Sequence, residues 1–84
     1  MKKMRLSDYH LNMGELIDLS HPDDYVMSGL SYAKNIPYQH FMMYYDKYLN
    51  KNKKYYIMCL KGIHSHRACA LLEYLGYDVT QVLK

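Results

Sequence analysis

Apolar positions along the chain come in short runs divided by polar turns, and the runs alternate between two periods. The strongest run is Tyr55-Tyr56-Ile57-Met58-Cys59. It is continuously apolar, the pattern of a strand covered by helices on both faces. Residues 60–64 read as a loop, and a helix is expected from about Ser65, with Ala68, Leu71, Leu72 and Leu75 as its i, i+3, i+4, i+7 stripe. Gly76 stands where a left-handed cap would end that helix. Residues 78–83 then form a last strand.

Upstream, Glu15-Leu16-Ile17-Asp18-Leu19 predicts a short buried strand. Ser20-His21-Pro22-Asp23-Asp24 predicts a helix start: Pro22 suits the first turn, and the two aspartates complement the positive end of the helix dipole. Ser28 and Gly29 keep that helix short. Residues 32–36 suggest another short strand, stopped by Pro37. From Tyr38 to Leu49, the residues Phe41, Met42, Tyr45, Tyr48 and Leu49 recur at helical spacing, and residues 50–53 are a polar turn. Residues 6–13 suggest a short helix, capped by Ser7 or Asp8 and ended by Gly14. Strands alternating with helices define one α/β domain over residues 1–84, with a mostly parallel sheet of four to five short strands flanked by helices.

Composition narrows the functional classes. Half of the 84 residues are apolar and 23% are charged, an ordinary globular balance. Eleven tyrosines stand against one phenylalanine and no tryptophan, and seven methionines supply adaptable core filler. The net charge is +3, with basic residues at Lys2, Lys3 and Arg5 and again at Lys47, Lys51, Lys53 and Lys54. The second group reads as a solvated helix end and turn, and no nucleic-acid motif accompanies it. No apolar run approaches 18 residues, so neither a membrane span nor a membrane partner is expected. The basic start lacks the apolar stretch of a signal peptide, and two cysteines are too few for a disulfide framework. A reducing, cytoplasmic setting is the expectation.

The candidate chemistry lies just after the central strand, because ligands of open parallel sheets bind at the carboxyl ends of strands. Cys59 stands at that end. Gly62 allows close backbone approach, so the loop Leu60-Lys61-Gly62-Ile63-His64-Ser65 can turn N–H groups inward toward an anion. The helix that follows adds its unpaired N–H groups and partial positive charge. A thiolate there would be a nucleophile, and the same donors would hold an anionic substrate. Lys61 can attract an anion, and His64 can do so or exchange a proton; Ser65 is expected to cap the helix, and its hydroxyl can also face the pocket. Cys69, inside the helix beside the leucine stripe, reads as core packing. Cys59, His64, His66 and Cys69 lack the close pair spacing of a zinc site, so no metal is expected.

These segments together resemble the rhodanese-like (sulfurtransferase) family. Leu16-Ile17-Asp18-Leu19 is similar to its strand L-I-D-V-R, and Pro22-Asp23-Asp24-Tyr25 to P-x-E-Y/F. Ala33, Asn35, Ile36 and Pro37 fall as in G-H-I-x-G-A-x-N-I-P. Residues 57–65 resemble V-x-Y-C-x-x-G-x-R-S, and Leu72, Leu75-Gly76-Tyr77 and Val79 resemble L-x-x-x-G-Y-x-x-V. The resemblance implies a persulfide mechanism without a cofactor. Cys59 would take sulfane sulfur from a small anionic donor such as thiosulfate, and would pass it to a thiol, a cyanide-like acceptor or a protein acceptor. The backbone of Leu60, Lys61, Gly62, Ile63, His64 and Ser65 would be the cradle, and Asp18 a structural acceptor near the loop.

The chain differs from the family pattern at three places. Ser20 and His64 stand where arginines are usual, and the chain stops about where the family continues with Gly-Gly and a final helix. The sheet face under that helix would be open, covered differently, or covered by a partner such as a second copy. A catalytically weak binding or sensing module is therefore the alternative expectation. Phosphatase or arsenate reductase relatives have an arginine six positions after the cysteine. Here that position is Ser65 and the nearest arginine is Arg67, which disfavours phosphate chemistry.

Overall fold

The chain, described over residues 1–84 in a computed structural model, forms five strands and three α-helices. In order these are β1 (Lys2–Arg5), β2 (Glu15–Asp18), α1 (Pro22–Ser28), β3 (Lys34–Asn35), α2 (Tyr38–Tyr48), β4 (Lys54–Met58), α3 (Ile63–Tyr74) and β5 (Asp78–Leu83). All strand pairs are parallel, and the sheet order is β1-β5-β4-β2-β3. The α/β reading with a parallel sheet therefore holds.

Three expectations change. The helix expected over residues 6–13 is two single 3-10 turns, Leu6–Asp8 and Leu11–Met13. Only Leu6, Tyr9 and Met13 of this stretch pack on the sheet, which is too few anchors for a continuous helix. The strand expected over 32–36 contracts to Lys34–Asn35. The strand β1 was not legible at all: Lys2, Lys3 and Arg5 are exposed, and Met4 alone turns inward, so the segment carries no alternating signal.

The sheet has two unequal faces. Helices α2 and α3 cover one with Phe41, Ala68, Cys69 and Leu72, which pack on Ile17, Ile57 and Val79. The other is covered by the segment 6–13 and by Tyr25 and Leu30, against Leu16, Tyr56, Met58 and Val82. Of the three expectations for this face (open, covered by a partner, or covered differently), the last holds: the segment 6–13 with Tyr25 and Leu30 packs on it. Tyr9 fixes that segment by donating its hydroxyl to the Gly14 carbonyl at 2.6 Å.

The buried stripe of α3 is also rotated from expectation. Ser65, Ala68, Cys69 and Leu72 are buried, whereas Leu71 is 37% exposed. The spacing is still helical, but the face opens with Ser65, a small polar residue that hydropathy alone does not mark, and takes in Cys69. Helix α2 leaves helical angles at Tyr44 (φ −126°, ψ 21°), within the span expected to be one helix.

This topology positions the site. From β2 the chain crosses to α1 on the thinner face, and from the adjacent β4 it crosses to α3 on the other. Connections that leave neighbouring strands toward opposite faces open a crevice at their carboxyl ends. Leu19 N–H to Met58 C=O at 2.8 Å carries the pairing of β2 and β4 up to its edge.

Candidate active site

Cys59 is the first residue beyond β4, and at 6% exposure it sits at the floor of the crevice. Its sulfur is held by hydrogen bonds. The Gly62 N–H donates to Sγ at 3.1 Å and the Ser65 N–H at 3.2 Å, while the neutral thiol itself donates to the Ser65 hydroxyl oxygen at 3.3 Å. Gly62 makes this possible with φ +82°, the left-handed region that glycine alone enters without cost, directly before the first turn of α3. The loop thus turns an N–H and the open end of a helix onto one sulfur atom. Such an arrangement stabilises negative charge on that atom, whether thiolate or persulfide.

Ser65 corrects an expectation. The helix starts at Ile63 with Gly62 at the cap position and no side-chain cap, so Ser65 stands in the first turn, fully buried. Its hydroxyl faces the sulfur instead of an N–H at the helix end. Of the cradle expected over residues 60–65, only the Gly62 and Ser65 N–H groups and the Ser65 hydroxyl contact Sγ; Leu60, Lys61, Ile63 and His64 form the exposed rim.

The crevice above Cys59 encloses about 620 Å³. Leu19 and Ser20 form one wall, Pro37 and Tyr38 a second, and the Cys59 loop the third. Lys61 is the one lysine or arginine on its lining and Asp24 the one carboxylate; His21, His64, Tyr38 and Cys59 complete the titratable groups there. The His64 ring lies flat on Tyr38, with centroids 4.0 Å apart and planes 6° apart. This stack builds an aromatic wall where the family pattern has an arginine. Tyr38 carried no functional signal in the sequence beyond its place at a helix start after Pro37.

Asp18 acts as a structural acceptor. It is fully buried, and its Oδ1 accepts the Ser20 N–H at 2.9 Å. Asn35 ties the same strand end by donating to the carbonyls of Asp18 and Ser20, each at 2.9 Å. Asp18 does not line the crevice; Ser20 does. Cys69 is fully buried in the core, and burial, followed by the nearby Glu73 and Cys59, pushes its thiol from 9.0 up to about 12. It is a neutral packing residue at physiological pH. No three histidine, cysteine or acidic side chains converge as metal ligands. No helix is long and apolar enough to cross a membrane.

One buried polar residue escaped the sequence reading. Gln81 of β5 is 3% exposed, and its Nε2 donates to the Gly62 carbonyl at 2.9 Å and to Ser65 Oγ at 3.0 Å. The signal available was a glutamine between Thr80 and Val82 in a strand expected to be buried.

With the fold and the cysteine loop in view, the comparison with known proteins is direct: the chain belongs to the rhodanese-like domain family, whose pattern it matches over residues 3–84. Among solved structures it is similar to a rhodanese-related protein from Thermoplasma volcanium, with 22% identity and a TM-score of 0.86, over 99% of this chain and 84% of that one. It is similar also to a rhodanese-like domain protein from Staphylococcus aureus, with 26% identity and a TM-score of 0.78, over 99% and 85% of the two chains. A NAD-dependent persulfide reductase from A. fulgidus shares the fold at 14% identity and a TM-score of 0.75, over 99% of this chain but 15% of the larger protein. No curated protein matches the chain.

Proposed function

We propose that the protein is a sulfurtransferase or persulfide carrier that loads sulfane sulfur onto Cys59. The observation that carries this reading is a buried sulfur at the foot of an open crevice, held by two N–H donors and in contact with the Ser65 hydroxyl. In the loading step the Cys59 thiolate attacks the outer sulfur of a thiosulfate-like donor. The donor's S–S bond breaks, and sulfite leaves with the electron pair. A thiolate or cyanide then attacks the outer sulfur of the persulfide, and Cys59 departs as thiolate. Charge stays on sulfur throughout, and fixed N–H dipoles serve such charge without reorganising. Lys61 at the rim favours entry of an anion.

The competing reading is a binding or sensing module of the same family with little turnover. Ser20 and the His64–Tyr38 stack favour it, because they replace the guanidinium groups of the family pattern with neutral or weakly basic ones. One experiment separates the two. The protein is incubated with thiosulfate, the Cys59 peptide is weighed by mass spectrometry, and thiocyanate is measured after cyanide is added. The transferase reading expects one added sulfur on Cys59 and its release as thiocyanate. It expects loading to vanish in Cys59→Ser and to persist in Cys69→Ala. A thiol that takes up no sulfur from thiosulfate or from an organic persulfide leaves the module reading standing.

A further inference from the structure

In the neutral thiol, Cys59 Sγ donates to Ser65 Oγ at 3.3 Å and the Ser65 hydroxyl donates to the Gly62 carbonyl at 3.3 Å. A Cys59 thiolate has no proton to give, and the hydroxyl proton then has two acceptors at equal range. Distance does not choose between them; the rest of the network does. The Gly62 carbonyl has two lone pairs. One accepts the His66 N–H at 3.1 Å, and the other accepts Gln81 Nε2 at 2.9 Å. Gln81 also donates to Ser65 Oγ at 3.0 Å, so that oxygen is engaged as an acceptor and its own proton must point elsewhere. The orientation of the glutamine amide is itself fixed, because a carbonyl can only accept and so must face the nitrogen. With two stronger donors already on the Gly62 carbonyl, the hydroxyl proton turns to the sulfur when Cys59 is a thiolate.

We infer that Gln81 is a positioning residue for the nucleophile: it fills the Gly62 carbonyl and thereby turns the Ser65 O–H onto the Cys59 thiolate as its third donor. The inference rests on the reading of Cys59 as the working thiolate. Its machinery comes from the far side of the sheet from β2, since β5 pairs with β4 at Ile57–Gln81 and places the glutamine under the first turn of α3. At 3% exposure the amide is shielded from water that would otherwise compete for its protons. Without it, the carbonyl regains a free lone pair, the hydroxyl turns to that carbonyl, and the sulfur keeps two donors.

The test reads the thiolate directly, without any sulfur donor. Wild type, Gln81→Leu, Gln81→Met, Ser65→Ala and the Gln81→Leu/Ser65→Ala double variant are treated with iodoacetamide across a pH series. Alkylation of the Cys59 peptide is followed by mass spectrometry, and folding is checked by circular dichroism. Cys69 serves as an internal blank, since burial keeps it protonated to about pH 12.

Loss of one hydrogen bond to a charged acceptor predicts alkylation slowed about tenfold near neutral pH. The rates should converge, or the variant become slightly faster, at alkaline pH where the thiol is ionised in every protein. Because Gln81 acts through Ser65, the double variant should be no slower than either single one. The two glutamine substitutions differ in shape, so a folding defect in one leaves the other to decide. Unchanged rates in a folded Gln81 variant would overturn the inference. So would losses that multiply in the double variant, or a rate deficit independent of pH. Sulfur loading from thiosulfate, measured alongside, scores the proposed function separately: either result can fail while the other stands.

Discussion

At the scale of single residues, the site is a set of backbone groups made convergent by one dihedral angle. Gly62 at φ +82° turns its own N–H toward Cys59 and still delivers the chain into α3. An added Cβ there would meet only ordinary contacts, the nearest being Leu83 at 3.5 Å, so the constraint is conformational and not steric. Gly62→Ala is therefore expected to lower stability by about 1 kcal/mol, measured by denaturant titration. If the alanine relaxes out of the left-handed region instead, the N–H leaves the sulfur, and alkylation of Cys59 slows while stability is retained. The sequence made Cys59, Gly62 and the length of the loop visible because those signals are local. It offered the Ser65 hydroxyl as a group facing the pocket, but it did not make Gln81 visible. Gln81 reaches Ser65 across sixteen residues of separation, through a contact that exists only once β5 lies beside β4.

At the scale of elements, legibility followed how much of each one is buried on a regular period. The strand β4 and the helices α2 and α3 carry runs of apolar residues and stood out. The edge strand β1 is held by pairing with β5, by the Lys2–Asp78 ion pair and by one inward apolar side chain, Met4, so its composition advertises a tail. The crossing from β1 to β2 depends on a close approach that no periodicity records. Gly14 lies so near β4 that a Cβ would sit 2.5 Å from the Lys54 carbonyl oxygen and 3.0 Å from the Tyr56 ring. Since the obstacle includes backbone, it cannot swing aside. Gly14→Ala should cost about 2–3 kcal/mol, by the penalty of overpacking, and should show as a lower denaturation midpoint. Tyr9→Phe, which removes the hydroxyl bond to Gly14 and leaves that carbonyl short of a donor, should cost about 1 kcal/mol in the same assay.

At the scale of the whole molecule, Cys69 couples stability to pH. Its thiol is raised by burial from 9.0 to about 12, so the folded state holds a proton that the unfolded chain releases earlier. The unfolded state then binds fewer protons between these values, and stability contributed by the neutral thiol is full below about pH 9 and lost as pH rises toward 12. Thermal melts of wild type should therefore fall more steeply with pH over that window than melts of Cys69→Ala, which has nothing to ionise there. A parallel slope in the two proteins would place the alkaline sensitivity elsewhere, among the eleven tyrosines.

The outermost strand has a consequence for how copies of the molecule meet. A sheet that stops at β1 offers a row of backbone donors and acceptors that another chain's strand can extend. Here that row is flanked by the exposed side chains of Lys3 and Arg5, and by Lys2, whose ammonium pairs with Asp78. Two such borders brought together would press like charges into a spacing of about 5 Å, so crowded molecules repel along the line where they would otherwise polymerise. The residues that hid this strand from a reading of the sequence are the ones that act as its guard against fibrils.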